Sequence, residues 1–184
     1  MKDSLAFIRD TLAQYGKNYT DQFIYTPHSN KTYHWYSDSD KTTWYYSTIS
    51  NGSNSNGCVF DLTNSSATKD FGEPDSTAVT NTISVFHLDL SSLDPSAIQS
   101  FDDSKVTVGP LDEYGHPAFS LSTQGSHISV IATNNVRAIA VMHDGKPESA
   151  SVFQINVAAG NLGDRLVKAL IHAVVLCGGK ASSY

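Results

Sequence analysis

Apolar residues recur along this chain at two different spacings. Leu5, Ile8, Leu12 and Tyr15 follow the three-four spacing of one helical face, with Asp3 or Ser4 as the cap and Gly16 as the stop. A second and wider stripe near the C-terminus comprises Leu162, Leu166, Ala169, Leu170, Ala173, Val174 and Cys177. It is opened by Asn161, has Asp164 in its first turn where the helix end is positive, and is closed by Gly178 and Gly179. A first helix of about 12 residues is marginal alone in water, so it is predicted to lie across a sheet.

Between the helices the period falls to two, and about ten short segments read as strands or turns. Residues 19–26 predict a strand ended by Pro27, and residues 32–37 and 42–50 predict an aromatic-rich hairpin turned by the Ser/Asp run between them. Residues 51–57, with two Asn-Gly signals, and the polar stretch 64–78 are predicted surface loops on either side of a strand carrying Cys58, Phe60 and Leu62. In 82–90, Phe86, Leu88 and Leu90 share one face, and His87 and Asp89 share the other. Ile83 and Val85 break that phase, which predicts a bulge or two buried faces. Leu93-Asp94-Pro95 is a turn. Further strands are expected within 98–108, 118–122, 127–133, 136–141 and 151–157, with Asn134-Asn135 and Asp144-Gly145 as hairpin positions. Strands that never alternate with helices argue against a doubly wound sheet and for a mostly β fold with flanking helices.

Length and charge narrow the partners. The 184 residues, 40% hydrophobic, suit one domain spanning 1–184. A net charge of −6 with scattered basic residues disfavours nucleic acid and anionic phospholipid. No run approaches the roughly 20 apolar residues of a membrane-spanning helix, and the first residues lack the basic and apolar regions of a signal peptide. The chain reads as soluble, either cytoplasmic or exported with a leader that this sequence does not contain. Cys58 and Cys177 permit one disulfide at most. Their context also suits a small buried thiol on the last helix, and the sequence leaves the pairing open.

Three stretches, 4–16, 85–95 and 164–180, resemble a set of uncharacterised bacterial proteins with a pleckstrin-homology-like (PH-like) domain. The shared features are a short helix ending in Tyr15-Gly16, a strand leading into Leu93-Asp94-Pro95, and a last helix ending in Leu176-Cys177-Gly178-Gly179-Lys180. The resemblance implies a barrel of two near-orthogonal antiparallel sheets, capped by the C-terminal helix. It makes Leu93, Asp94 and Pro95 structural and transfers no active site.

Chemistry is sparse in the sequence. No catalytic residue and no cofactor is called for, since Gly-x-Ser-x-Gly and phosphate-loop spacings are absent. Gly125-Ser126-His127 puts a hydroxyl beside an imidazole, yet neighbouring strand residues face opposite ways. His172 reads as a packing residue of the last helix, hydrogen-bonded to a strand. Tyr33, Trp35, Trp44, Tyr45 and Tyr46 form the candidate binding surface, for a protein or peptide. His87, Asp89 and His127 are weak metal candidates lacking a demonstrated third ligand in register. Phosphoinositide is disfavoured because Lys31, Lys41, Lys69, Lys105 and Arg137 are dispersed. Four Asn-x-Ser/Thr sequons, at Asn18, Asn30, Asn51 and Asn64, read as products of composition. The leading reading is a non-enzymatic binding or scaffold module. A metal-dependent enzyme or metal-binding factor and an envelope-associated structural component are the alternatives, and the oligomeric state is open.

Overall fold

The computed structural model describes residues 2–29, 34–51, 57–70, 79–111, 117, 119–135, 139–158 and 161–181; of residues 2, 3, 23–29, 34–40, 51 and 135 it describes the backbone alone. Helix α1 (Lys2–Tyr15) precedes four long strands, β1 (Lys17–Ser29), β2 (His34–Asn51), β3 (Val59–Asp70) and β4 (Val79–Asp89). Shorter strands follow: β5 (Gln99–Asp102), β6 (Lys105–Val108), β7 (Phe119–Gln124), β8 (Ser126–Ile131), β9 (Ile139–His143), β10 (Lys146–Ala150) and β11 (Val152–Val157). Helix α2 (Leu162–Leu176) comes last. Eight strands make a large antiparallel sheet in the order β10-β9-β4-β3-β2-β1-β7-β6, and three make a small one in the order β11-β8-β5. The mostly β class, the two sheets and the helix at each end match the expectation. The barrel does not: β10 and β6 lie at opposite edges of the large sheet, and among the described residues the sheets do not close.

The strands run further than their hydrophobic patterns suggest. The expected turn at 38–41 is absent, because β2 pairs with β1 without interruption from Ser29↔His34 to Lys17↔Tyr46. Ser and Asp are poor strand formers, but neither requires a turn, and a continuous ladder overrides their propensity. Pro27 lies inside β1, beyond Ile24, the last β1 residue paired with β7 among the described residues, so a residue without an N–H interrupts none of the described β1–β7 pairs. Residues 64–70, expected as loop, continue β3, and 71–78 lie outside the described residues. The expected bulge near Ile83 is missing, since β3 and β4 keep one register from Val59↔Asp89 to Lys69↔Val79. Ile83 is simply an exposed apolar residue on the outer face, 50% accessible. Asp144-Gly145 forms the β9–β10 turn with positive φ at both residues. Asn134, φ 57°, instead lies in a helical turn on the path from the small sheet to the large one.

The two faces of the large sheet follow from the register. On the inner face Phe60, Leu62, Leu88, Ile139 and Val141 are buried. They join Ile128, Val130, Phe153, Ile155 and Val157 of the small sheet in one core, in which the Phe86 and Phe153 ring centroids lie 5.6 Å apart. The small sheet meets the large one through its β11 edge. Ser47 Oγ accepts from the Asn156 backbone N–H at 2.7 Å, and Asn64 Nδ2 donates to the Gln154 carbonyl at 2.6 Å. An edge strand buried against another sheet would leave such groups unpaired, and these two side chains supply the partners. Ser47 also donates to Asn64 Oδ1 at 2.6 Å, which joins the two supports into one network.

Both helices close the apolar side of this junction. Ile8 and Leu12 of α1 and Leu166, Leu170, Ala173 and Val174 of α2 enter the core. Asn161 precedes α2 without a side-chain capping bond. Asp164 in the first turn instead accepts from Ser100 Oγ at 2.6 Å. The C-terminus ends in a glycine turn: Gly179 N–H donates to the Val174 carbonyl at 2.9 Å, Gly178 N–H to Val175 at 3.0 Å, and Gly178 takes φ 91°. That turn brings Cys177 to Cys58, and the two form a disulfide with Cα atoms 5.7 Å apart. The turns after β4 are also built by side chains. Asp89 accepts from Ser91 N–H and Asp94 from Ser96 N–H, each at 2.9 Å, while Leu93 is fully buried. Leu93, Asp94 and Pro95 are thus structural here.

Candidate functional site

A cleft of about 500 Å³ opens on the other side of the β11 junction. It exists because the inner face of the large sheet changes character along its strands. Beyond Leu62 the inward positions of β3 are Asn64, Ser66 and Thr68; beyond Phe86 those of β4 are Ser84, Thr82 and Thr80. The register sets Thr80, Thr68, Thr43, Thr20 and Thr123 side by side across β4, β3, β2, β1 and β7. Neighbouring strands lie about 4.7–4.9 Å apart, so this is a continuous row of hydroxyls. Thr43 and Thr68 are 3.0 Å apart at their hydroxyls, Ser66 and Thr82 2.7 Å, and Thr20 and Thr123 3.4 Å. The next row inward holds Thr82, Ser66, Tyr45 and Asn18.

The opposite wall is the polar face of the small sheet, with His127, Gln154 and Asn156. His127 Nδ1 lies 2.7 and 2.9 Å from the two Asp103 carboxylate oxygens, and its ring stacks on Phe101 at 5.1 Å and 18°. Bonded to a carboxylate, Nδ1 carries the proton in the neutral ring and Nε2 is the acceptor. The chain around Asp103 is held by Ser104, which donates its N–H to Asp102 at 2.9 Å and keeps that exposed carboxyl below the ordinary aspartate range. Asn18 Nδ2 contacts Asn156 Oδ1 at 3.3 Å and the Ser126 carbonyl at 3.4 Å, whereas Asn18 Oδ1 is buried without a partner among the described residues.

The predicted aromatic surface is divided between the two faces of β2. Tyr45 is inward and lines the cleft; Trp44 and Tyr46 are outward. Trp44 stands beside Tyr19, and Tyr46 beside Lys17. Together with Gln124 they line an outer hollow of about 480 Å³. Tyr46 is 40% accessible. Tyr33 and the Trp35 side chain lie outside the described residues. Tyr19 was legible only as a strand residue, because its alignment with Trp44 depends on the β1–β2 register.

The weak metal candidates His87, Asp89 and His127 do not come together. His87 is on the outer face of β4, with Nδ1 2.7 Å from Asp61; Asp89 supports the following turn; and His127 belongs to the other sheet. Among the described residues no group of three or more His, Cys, Asp or Glu is placed to hold a metal ion. His172 is exposed and bonds not to a strand but to Ser4 of α1, Nδ1 to Oγ at 3.0 Å. Ser126 is buried on the core face of β8, opposite to His127, as the strand period requires. Lys41 pairs with Asp70 at 3.1 Å, while Lys31 and Arg137 lie outside the described residues. The Asn18 and Asn64 amides are used inside the fold rather than presented as glycan acceptors. No helix among the described residues is long and apolar enough to cross a membrane.

Comparisons with family models, with curated proteins and with solved structures find no match to this chain.

Proposed function

We propose that this protein is a non-enzymatic binding module that holds a peptide or protein segment on the aromatic outer face of its large sheet. The observation that carries the reading is the alignment of Tyr19, Trp44 and Tyr46 around one hollow, with Lys17 at its edge. Large aromatic side chains grouped on a rigid sheet provide contact area at low entropic cost, and such groups dominate interface energetics. The proposal includes kinship with the PH-like bacterial proteins. Two antiparallel sheets and a C-terminal helix packed into their core support it, and the open sheet edges depart from it. Peptides selected by phage display against the oxidised chain, then measured by calorimetry, test the site. Affinity should fall about tenfold or more in Tyr46→Ala and Trp44→Ala with the thermal midpoint of Tyr46→Ala unchanged. Failure to select any peptide, or affinity unchanged from that of the unsubstituted chain in both variants, overturns the reading.

An envelope-associated or exported structural role is the second reading, favoured by the Cys58–Cys177 disulfide, since such bonds persist in oxidising compartments. Thiol trapping in intact producing cells should find both cysteines oxidised. Free thiols there would remove the support.

A further inference from the structure

We propose that the cleft between the two sheets is a second binding site, and that its ligand is a neutral sugar. The case starts from what the lining lacks. Among the described residues no Lys or Arg lines it, and the one carboxylate in the lining, Asp103, is engaged by His127. A phosphate or carboxylate ligand would enter without a countercharge, and burying an unpaired charge is costly. Nucleotides and acidic peptides are therefore poor occupants. A long apolar side chain fits no better, because it would strip water from rows of hydroxyls and amides and give no hydrogen bond back.

What the lining offers is the chemistry of a sugar. Ser66, Thr20, Thr82 and Thr123 each present a hydroxyl that can donate or accept, and so does every hydroxyl of a pyranose. Gln154 and Asn156 add amides on the opposite wall. Tyr45 contributes a phenol ring, suited to the C–H face of a sugar. His127, whose Nδ1 is held by Asp103, adds its second ring nitrogen, Nε2, to the polar groups of the wall. The volume of about 500 Å³ lies within the roughly 300–1,000 Å³ of small-molecule sites. Cross-strand bonds already hold several of the hydroxyls in place, so little ordering remains to oppose binding. This site lies on the opposite face of the large sheet from the aromatic hollow and stands independently of it.

The test uses the full oxidised chain and a panel of maltose, cellobiose, lactose and N,N′-diacetylchitobiose, with glucuronate and glucose 6-phosphate as anionic controls. Calorimetry measures affinity, and amide chemical shifts locate the contact. At least one neutral sugar should bind saturably and shift the amides of Thr20, Ser66 and His127. Tyr45→Ala and the nearly isosteric Thr82→Val should each weaken it about tenfold, whereas the outer-face variant Trp44→Ala should leave it unchanged. Thr82→Val keeps the test decisive if Tyr45→Ala fails to fold. No saturable binding by any neutral sugar, preference for the anionic controls, or affinity unaffected by Thr82→Val would each overturn the proposal and leave the cleft as a polar seam between sheets.

Discussion

At the scale of single residues, Ser47 has the most consequential position. It is fully buried, donates to Asn64, and accepts from both the backbone and the side chain of Asn156. Replacing it by Ala leaves the Asn156 N–H buried without a partner, a loss of about 1–3 kcal/mol. Ser47→Ala should accordingly lower the urea midpoint, and faster amide exchange should be concentrated in β11. The exposed neighbour Thr48 serves as the control, since surface substitutions of this kind stay within about 0.5 kcal/mol. Neither residue stands out in the sequence, where Ser47 is one serine among many. Asp94 is the contrary case. An Asp before Pro95 signals a turn directly, and the structure adds that it accepts from both the backbone N–H and the hydroxyl of Ser96 and that the residue is buried.

At the scale of elements, α2 shows how far periodicity carries. Its three-four stripe correctly selects Leu166, Leu170, Ala173 and Val174 as the buried face, because that spacing is a geometric property of the helix itself. Leu170→Ala should cost about 2–5 kcal/mol, whereas Val175→Ala, on the 54% exposed side, should cost well under 1 kcal/mol; chemical denaturation of both variants measures the contrast. The strands were less legible. Residues 64–70 read as loop because Asn, Ser and Thr dominate them, yet they form the β3 half that builds the cleft. A strand facing a polar cleft on one side and solvent on the other has no apolar alternation to reveal it. Register is what turns those hydroxyls into rows, and register belongs to pairs of strands.

At the scale of the whole molecule, the disulfide joins the entry to β3 with the end of α2, 119 positions apart. Closing so long a loop restricts the unfolded chain and stabilises the fold by about 4–5 kcal/mol in the chain-entropy account. Reduction, or the double variant Cys58→Ala/Cys177→Ala, should lower the unfolding free energy by an amount approaching that, measured in urea with and without reductant; an unchanged midpoint would show that the glycine turn and core suffice. The sequence by itself determined the two helices, the mostly β class, the Leu93-Asp94-Pro95 turn and the paucity of metal or nucleophile motifs. These rest on local spacing, local turn chemistry and composition. Only the tertiary structure decided the Cys58–Cys177 pair, that Tyr45 faces the cleft while Trp44 and Tyr46 face outward, the separation of His87 from His127, and the cleft. Each of these depends on which distant segments meet and, for the strands, in what register, and no short stretch of sequence carries that choice.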